Sequence, residues 1–233
     1  MRYTGLVMSD DRAIVIEERV SVPAAAFEHA GYRAWVTSDA YPERVRTTFV
    51  REEVLVEMSP ESAEAHNKVK VELTLAIGSY VREHDLGEVY ADGMLITNEA
   101  AQLSCEPDLT FVSWRTFEDG RARLLPRVGD ESDSIELFGS PDLVVEIVSD
   151  SSVKKDTQLL RDAYARAGVR EYWLIDARGA EIAFEILTLD GDRFASSGEA
   201  AAPQESAVLG GRWTLTRSRN RLGRFTYNLS RTE

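Results

Sequence analysis

Pro141–Asp176, PDLVVEIVSDSSVKKDTQLLRDAYARAGVREYWLID, decides how the rest of the chain is read. The apolar run Leu143, Val144 and Val145 predicts a buried strand. It delivers Glu146 and then a polar cluster, Ser149 to Ser152. A helix follows and ends at Gly168, a residue suited to a left-handed cap. Tyr172 to Ile175 then predict a second strand. A carboxylate at the end of a buried strand needs a partner, because an isolated buried charge is costly.

Working outward, EPDLTFV at 106–112 repeats the arrangement: Asp108 opens or interrupts a second apolar strand, thirty-eight residues before Glu146. An aspartate capping its own backbone in a turn would look the same. Upstream, the β-branched runs Val45–Val50 and Val54–Met58 read as a hairpin. Ser59 then opens a long helix, Pro60 to about Glu83, with Val69, Leu73, Ile77 and Val81 as its apolar stripe. His66 on its first turns reads as a polar contact or cap, with a catalytic or phosphate-contacting role as the alternative. An earlier helix from about Ser21 carries Phe27, Tyr32 and Trp35, with His29 expected at its surface or boundary. Residues 115–139 lack periodicity and read as a long excursion holding Arg115, Arg121, Arg123 and Arg127, either a solvated loop or a phosphate-contacting lid. Beyond Asp176 a β meander is expected, with a polar loop over Ser196–Ser206.

The chain of 233 residues is 43% hydrophobic and 29% charged, which suits one soluble globular domain with extensions. Cys105 is the one cysteine, which excludes an internal disulfide and a Cys/His zinc spacing and fits a reducing cytoplasm. No run approaches the roughly 18 apolar residues of a membrane span, and Asp10, Asp11 and Arg12 break the leading segment where a signal peptide needs an apolar core. The formal charge of −13 argues against a broadly basic nucleic-acid-binding face, unless a local patch or a divalent metal reverses it.

Two acids on neighbouring strands can share a divalent cation such as magnesium, which takes oxygen ligands and keeps several waters. With a cationic side chain beside them, the set suits phosphodiester hydrolysis. At this point the sequence resembles the Uma-type putative restriction endonuclease family, a branch of the PD-(D/E)XK nuclease superfamily. The residues that carry the resemblance are AWVTSDAYPERVR, VEMSPESAEAH, EPDLTFV, PDLVVEIVSDSS and DAYARAGVREYWLIDARG, over about Phe27 to Gly179.

The resemblance implies an α/β (α+β) restriction-endonuclease-like core, a mixed sheet flanked by helices, with extra strands at the C-terminus. It divides the chain into an arm (1–22), the nuclease-like domain (23–190) and a C-terminal β extension packed on it (191–233). It implies a Mg2+- or Mn2+-dependent endonuclease acting on DNA, with Asp108 and Glu146 as metal ligands and a homodimer by analogy. The family's lysine is missing: Val148 stands two residues after Glu146, and Leu160 stands at the helical position that carries a lysine in other members. Lys155 is therefore the expected catalytic cation, with Lys154 and Arg161 as neighbours in sequence. A degenerate homologue that binds DNA or protein without cutting is the alternative.

Overall fold

An apolar run can be buried on both faces only if layers cover both sides of its sheet. In the computed structural model, which describes residues 14–16, 20–42, 45–57, 59–127, 130–196, 198 and 202–233, every residue of the strand Leu143–Ile147 is buried. It lies inside a six-stranded sheet ordered Arg193–Ser196, Ala183–Asp190, Glu171–Asp176, Leu143–Ile147, Leu109–Ser113, Gly87–Ala91. Its pairing with Glu171–Asp176 is parallel and with Leu109–Ser113 antiparallel, so the sheet is mixed. A parallel pair needs a crossover. Here it is a π-turn, Lys155–Leu160, running into the helix Arg161–Arg166.

The period of two sorts the central strand. Leu143, Val145 and Ile147 join a cluster with Val69, Leu73, Ile77 and Val81 of the long helix Lys68–Glu83, and with Trp213, Leu215, Tyr227 and Leu229 of the C-terminal three-stranded sheet. Val144 and Val148 fall in the opposite cluster, with Leu160, Ala163 and Tyr164 of the crossover and Leu103, Cys105 and Leu137 of a second six-stranded sheet. Each fully buried Leu, Ile or Val contributes roughly 1.5–3 kcal/mol, which fixes the register of this strand. A slip of one residue would exchange its two faces.

The second sheet is ordered Glu53–Glu57, Arg46–Val50, Leu103–Cys105, Leu95–Asn98, Asp130–Gly139, Ala122–Arg127. Its hairpin turns through Arg51 and Glu52, both at positive φ (50° and 64°), the left-handed pair that two-residue hairpins require. The 115–139 segment corrects the expectation of a loop: after a short helix, Trp114–Glu118, it forms the antiparallel pair Ala122–Arg127 and Asp130–Gly139. Irregular register between Asp130 and Glu136 hid the alternation. Pro126 is tolerated because its strand is the sheet's edge.

The first helix, His29–Val36, is preceded by a 3-10 turn, Ala24–Phe27. Contrary to expectation His29 is buried, its Nε2 2.9 Å from Ser104 Oγ. Gly31 is required there, since a Cβ would stand 1.9 Å from the Ala25 carbonyl oxygen. The strands Ile14–Ile16 and Val20–Val22 pair with each other. Among the described residues no helix is long and apolar enough to cross a membrane.

Candidate active site

Asp108 directly precedes the strand Leu109–Ser113, and Glu146 is the fourth residue of Leu143–Ile147. Because Val145 pairs with Leu109 in antiparallel register, the next step of the ladder sets Glu146 opposite Asp108, on the same face of the sheet. The junction is fixed by a hydrogen bond of 2.7 Å from the Ile147 backbone N–H to Asp108 Oδ2. Both carboxylates are buried, and both line a cleft of about 1100 Å³. The cleft also receives Glu57, Glu61, Glu106 and Asp156, with Arg46, His66, Lys155 and Arg178 as its basic side chains.

Asp108 is held by the long helix. Lys70 Nζ lies 2.9 Å from its Oδ1 and His66 Nε2 lies 3.4 Å from its Oδ2. His66 and Lys70 are four residues apart, so they project from one helical face. Burial alone would raise the Asp108 carboxyl. The hydrogen bond and charge of His66, with Lys70, outweigh burial and hold it at about 2. Glu61 extends the network, 2.9 Å from Lys70 and 2.7 Å from Arg46. Arg46 also reaches Asp92 at 2.5 Å.

Glu146 is in the reverse situation. Burial first, then the nearby charges of Asp156 and Asp108, pushes its carboxyl well above the ordinary range, against the opposing pull of Lys155 and of a 2.6 Å hydrogen bond donated by Tyr164. Asp156 is driven up to about 6 by burial, although Lys155 and a short hydrogen bond from Ser152 Oγ oppose the rise. Glu106 is also raised by burial. Two carboxylates facing each other thus have opposite proton affinities, an arrangement characteristic of functional sites.

Of the basic residues considered after Glu146, Lys155 lines the cleft, at 2.9 Å from Glu57 and 3.5 Å from Asp156 Oδ1. Its ammonium is raised: burial lowers it, and the charges of Glu146, Asp156 and Glu57 more than compensate. Lys154 is exposed, and Arg161 turns away to the Phe194 carbonyl at 3.3 Å. Val148 and Leu160 are buried core residues. The four arginines of the 115–139 segment do not line the cleft; Arg115 pairs with Asp119, Arg121 with Asp142, and Arg123 lies over the Phe138 ring.

Glu61, His66 and Asp108 bring ligand-capable atoms within 4.8 Å of one another, a carboxylate and histidine cluster with the chemistry of a metal centre. His66 Nδ1 and Asp156 Oδ1 are buried without a hydrogen-bond partner, although each has a charged neighbour, Glu61 at 3.2 Å and Lys155 at 3.5 Å. Since each carboxylate oxygen has two lone pairs, Asp108 retains acceptor capacity beyond Ile147 and Lys70. These residues therefore fit a divalent cation.

His66 was legible as an alternative catalytic or phosphate-contacting residue, whereas Lys70 and Glu61 were not, because the helix's apolar stripe explained its existence. The signal was present in the four-residue spacing of His66 and Lys70, a row one position on from that of Val69 and Leu73.

A mixed sheet flanked by helices, with two acids facing each other on adjacent central strands, defines a nuclease-like fold. The family model Uma2, described as "Putative restriction endonuclease", matches residues 34–215, and the chain belongs to that family. Among solved structures it is similar to a putative nuclease of the DUF820 group from Anabaena variabilis, at 16% identity and a TM-score of 0.52, covering 70% of this chain and 83% of that one. At that identity the likeness speaks for the fold. A search of curated proteins gave no match.

Proposed function

We propose that the protein is a metal-dependent endonuclease that hydrolyses DNA phosphodiester bonds, with Mg2+ or Mn2+ held by Asp108 and Glu146 and with Lys155 as the catalytic cation. The observation that carries this reading is the cross-strand placement of Asp108 and Glu146 in one cleft with Lys155. A divalent cation there would supply an activated water and neutralise charge on the scissile phosphate.

The chain's own residues do the rest. Lys155 presents a permanent positive charge, and Glu57 fixes its position by two oxygens at 2.9 Å. It is therefore placed to stabilise negative charge that develops on a phosphoryl oxygen. His66 and Lys70 hold Asp108 toward its ionised form, while burial and the charges of Asp156 and Asp108 favour the protonated form of Glu146. Lys70 and His66 orient Asp108, and Tyr164 orients Glu146.

The direct test is incubation of supercoiled plasmid with Mg2+ or Mn2+. Wild type should yield nicked or linear products and Asp108→Ala should not; equal background cleavage by both sinks the proposal. A second reading, a degenerate homologue that binds without cutting, is favoured by the apolar Val148 and Leu160 where the family places a lysine. It predicts metal-independent DNA binding with no cleavage under any divalent ion.

A further inference from the structure

The charge is distributed very unevenly. Between Ser206 and Thr232 the chain holds six arginines and no lysine, aspartate or glutamate. A formal +6 there, against −13 for the whole, leaves −19 on the remainder. These residues form two paired strands, Arg212–Arg219 and Phe225–Thr232, joined through Asn220–Arg224. Among the described residues none of the six arginines makes a salt bridge; the side-chain hydrogen bonds of Arg217, Arg219 and Arg231 go to backbone carbonyls, and Arg231 also lies over the Tyr80 ring.

The alternation along the first strand explains where the charge sits. Trp213 and Leu215 pack inward beneath the long helix, and the same row continues toward the turn as Arg217 and Arg219. Both guanidiniums lie over the Phe225 ring, at 4.1 and 4.4 Å from its centroid. This end of the hairpin is tied to the rim of the cleft on two sides. Arg217 donates to the carbonyls of Ala177, Gly179 and Ala180, the loop that carries cleft residue Arg178. The Phe225 backbone N–H donates to the Glu64 carboxylate and its carbonyl accepts from Lys68 Nζ, and Glu64 and Lys68 flank the cleft residues Ala65 and His66. At the tip, Leu222 is 72% exposed between Arg221 and Arg224.

We propose that this hairpin is a duplex-DNA-binding element, in which Arg219, Arg221 and Arg224 contact backbone phosphates and Leu222 enters the groove beside the cleft. A two-stranded ribbon fits a DNA groove, an apolar tip between basic residues is the form of a groove wedge, and unpaired guanidiniums release counterions on binding phosphate. The acidic remainder repels the duplex elsewhere, which confines contact to this edge. The proposal rests on the nuclease reading for its substrate and extends it to a surface outside the acids.

The test is fluorescence anisotropy of a labelled DNA duplex with full-length protein in EDTA, over a range of salt. Wild type should bind with a steep salt dependence. Arg221→Glu/Arg224→Glu, which removes no ion pair, should weaken binding at least tenfold and make the slope of log K against log salt shallower by about two. Should the reversal impair folding, Arg221→Gln/Arg224→Gln must show the same direction of change. Unaltered affinity in a folded variant, or no duplex binding by wild type at low salt, overturns the proposal, as does binding of anionic phosphatidylserine vesicles without binding of DNA. The two readings fail separately: arginine-dependent binding with no Asp108-dependent cleavage leaves the hairpin standing and removes the endonuclease, and the converse removes the hairpin alone.

Discussion

Tyr164 donates its hydroxyl to Glu146 Oε1 at 2.6 Å, linking the crossover helix to the strand before it, and the same hydroxyl lies 3.2 Å from Cys105 Sγ. All three groups are fully buried. The hydrogen bond favours the ionised form of Glu146, the form a metal needs. Tyr164→Phe should therefore weaken divalent binding by about 10- to 100-fold, as loss of a ligand's outer partner does. Calorimetric titration with Mn2+ measures it; unchanged affinity would place the metal elsewhere.

Asp156 gives a pH-dependent stability with a definite sign. Its carboxyl rises from an ordinary 3.8 to about 6 in the fold, chiefly through burial. Between those values the folded chain holds a proton that the unfolded chain has lost, so stability falls as pH rises through this window. Asp156→Asn removes that loss and keeps an acceptor for Ser152. In EDTA it should melt at a higher temperature than wild type at pH 7, by an amount equivalent to at most about 3 kcal/mol, reduced by the loss of the Lys155 contact, and the gap should close toward pH 4. Asp108 acts in the opposite sense: held at about 2, it contributes stability above its ordinary 3.8 that is lost as pH falls from 3.8 toward 2.

Lys155→Ala removes the positive charge shared by Glu57, Glu146 and Asp156. Cleavage should fall by about 10²-fold or more, with DNA binding in EDTA changed far less. Lys154→Ala, at an exposed neighbouring position, should cleave like wild type. Plasmid relaxation rates at matched binding saturation separate the two variants. Equal loss in both would mean that charge on this turn, and not the side chain in the cleft, is what matters.

The central sheet was legible because its strands are short apolar runs with few alternative partners, and Glu146 and Asp108 stood out as charges interrupting them. Other parts were hidden for identifiable physical reasons. The strand Asp130–Gly139 has register irregularities that erase a clean alternation. Lys70 looks like any solvent-facing lysine until the sheet beneath its helix places Asp108 2.9 Å away. The hairpin arginines follow the period of their strand, so local pattern alone cannot distinguish a row that stays in the core from one that leaves it beyond Leu215.

Val148 is on the same face of its strand as Glu146, two residues on, where the family's lysine would stand if it followed the simple spacing. Here that position belongs to the core cluster with Leu160, Tyr164 and Tyr172, and Val148 is 1% exposed. Val148 also borders the cleft, but its side chain is packed in that apolar cluster, so an ammonium there would be largely desolvated. Val148→Lys should therefore destabilise the protein by about 3 kcal/mol or more and should not increase cleavage, since Lys155 already supplies a charge to the cleft from the crossover. The decisive version is the double variant Val148→Lys/Lys155→Ala, assayed for plasmid cleavage and for its melting temperature. It should remain as inactive as Lys155→Ala. If the double variant folds and recovers cleavage, the cation can be served from the strand, and the apolar packing around Val148 is not the reason that this chain carries its lysine on the helix side.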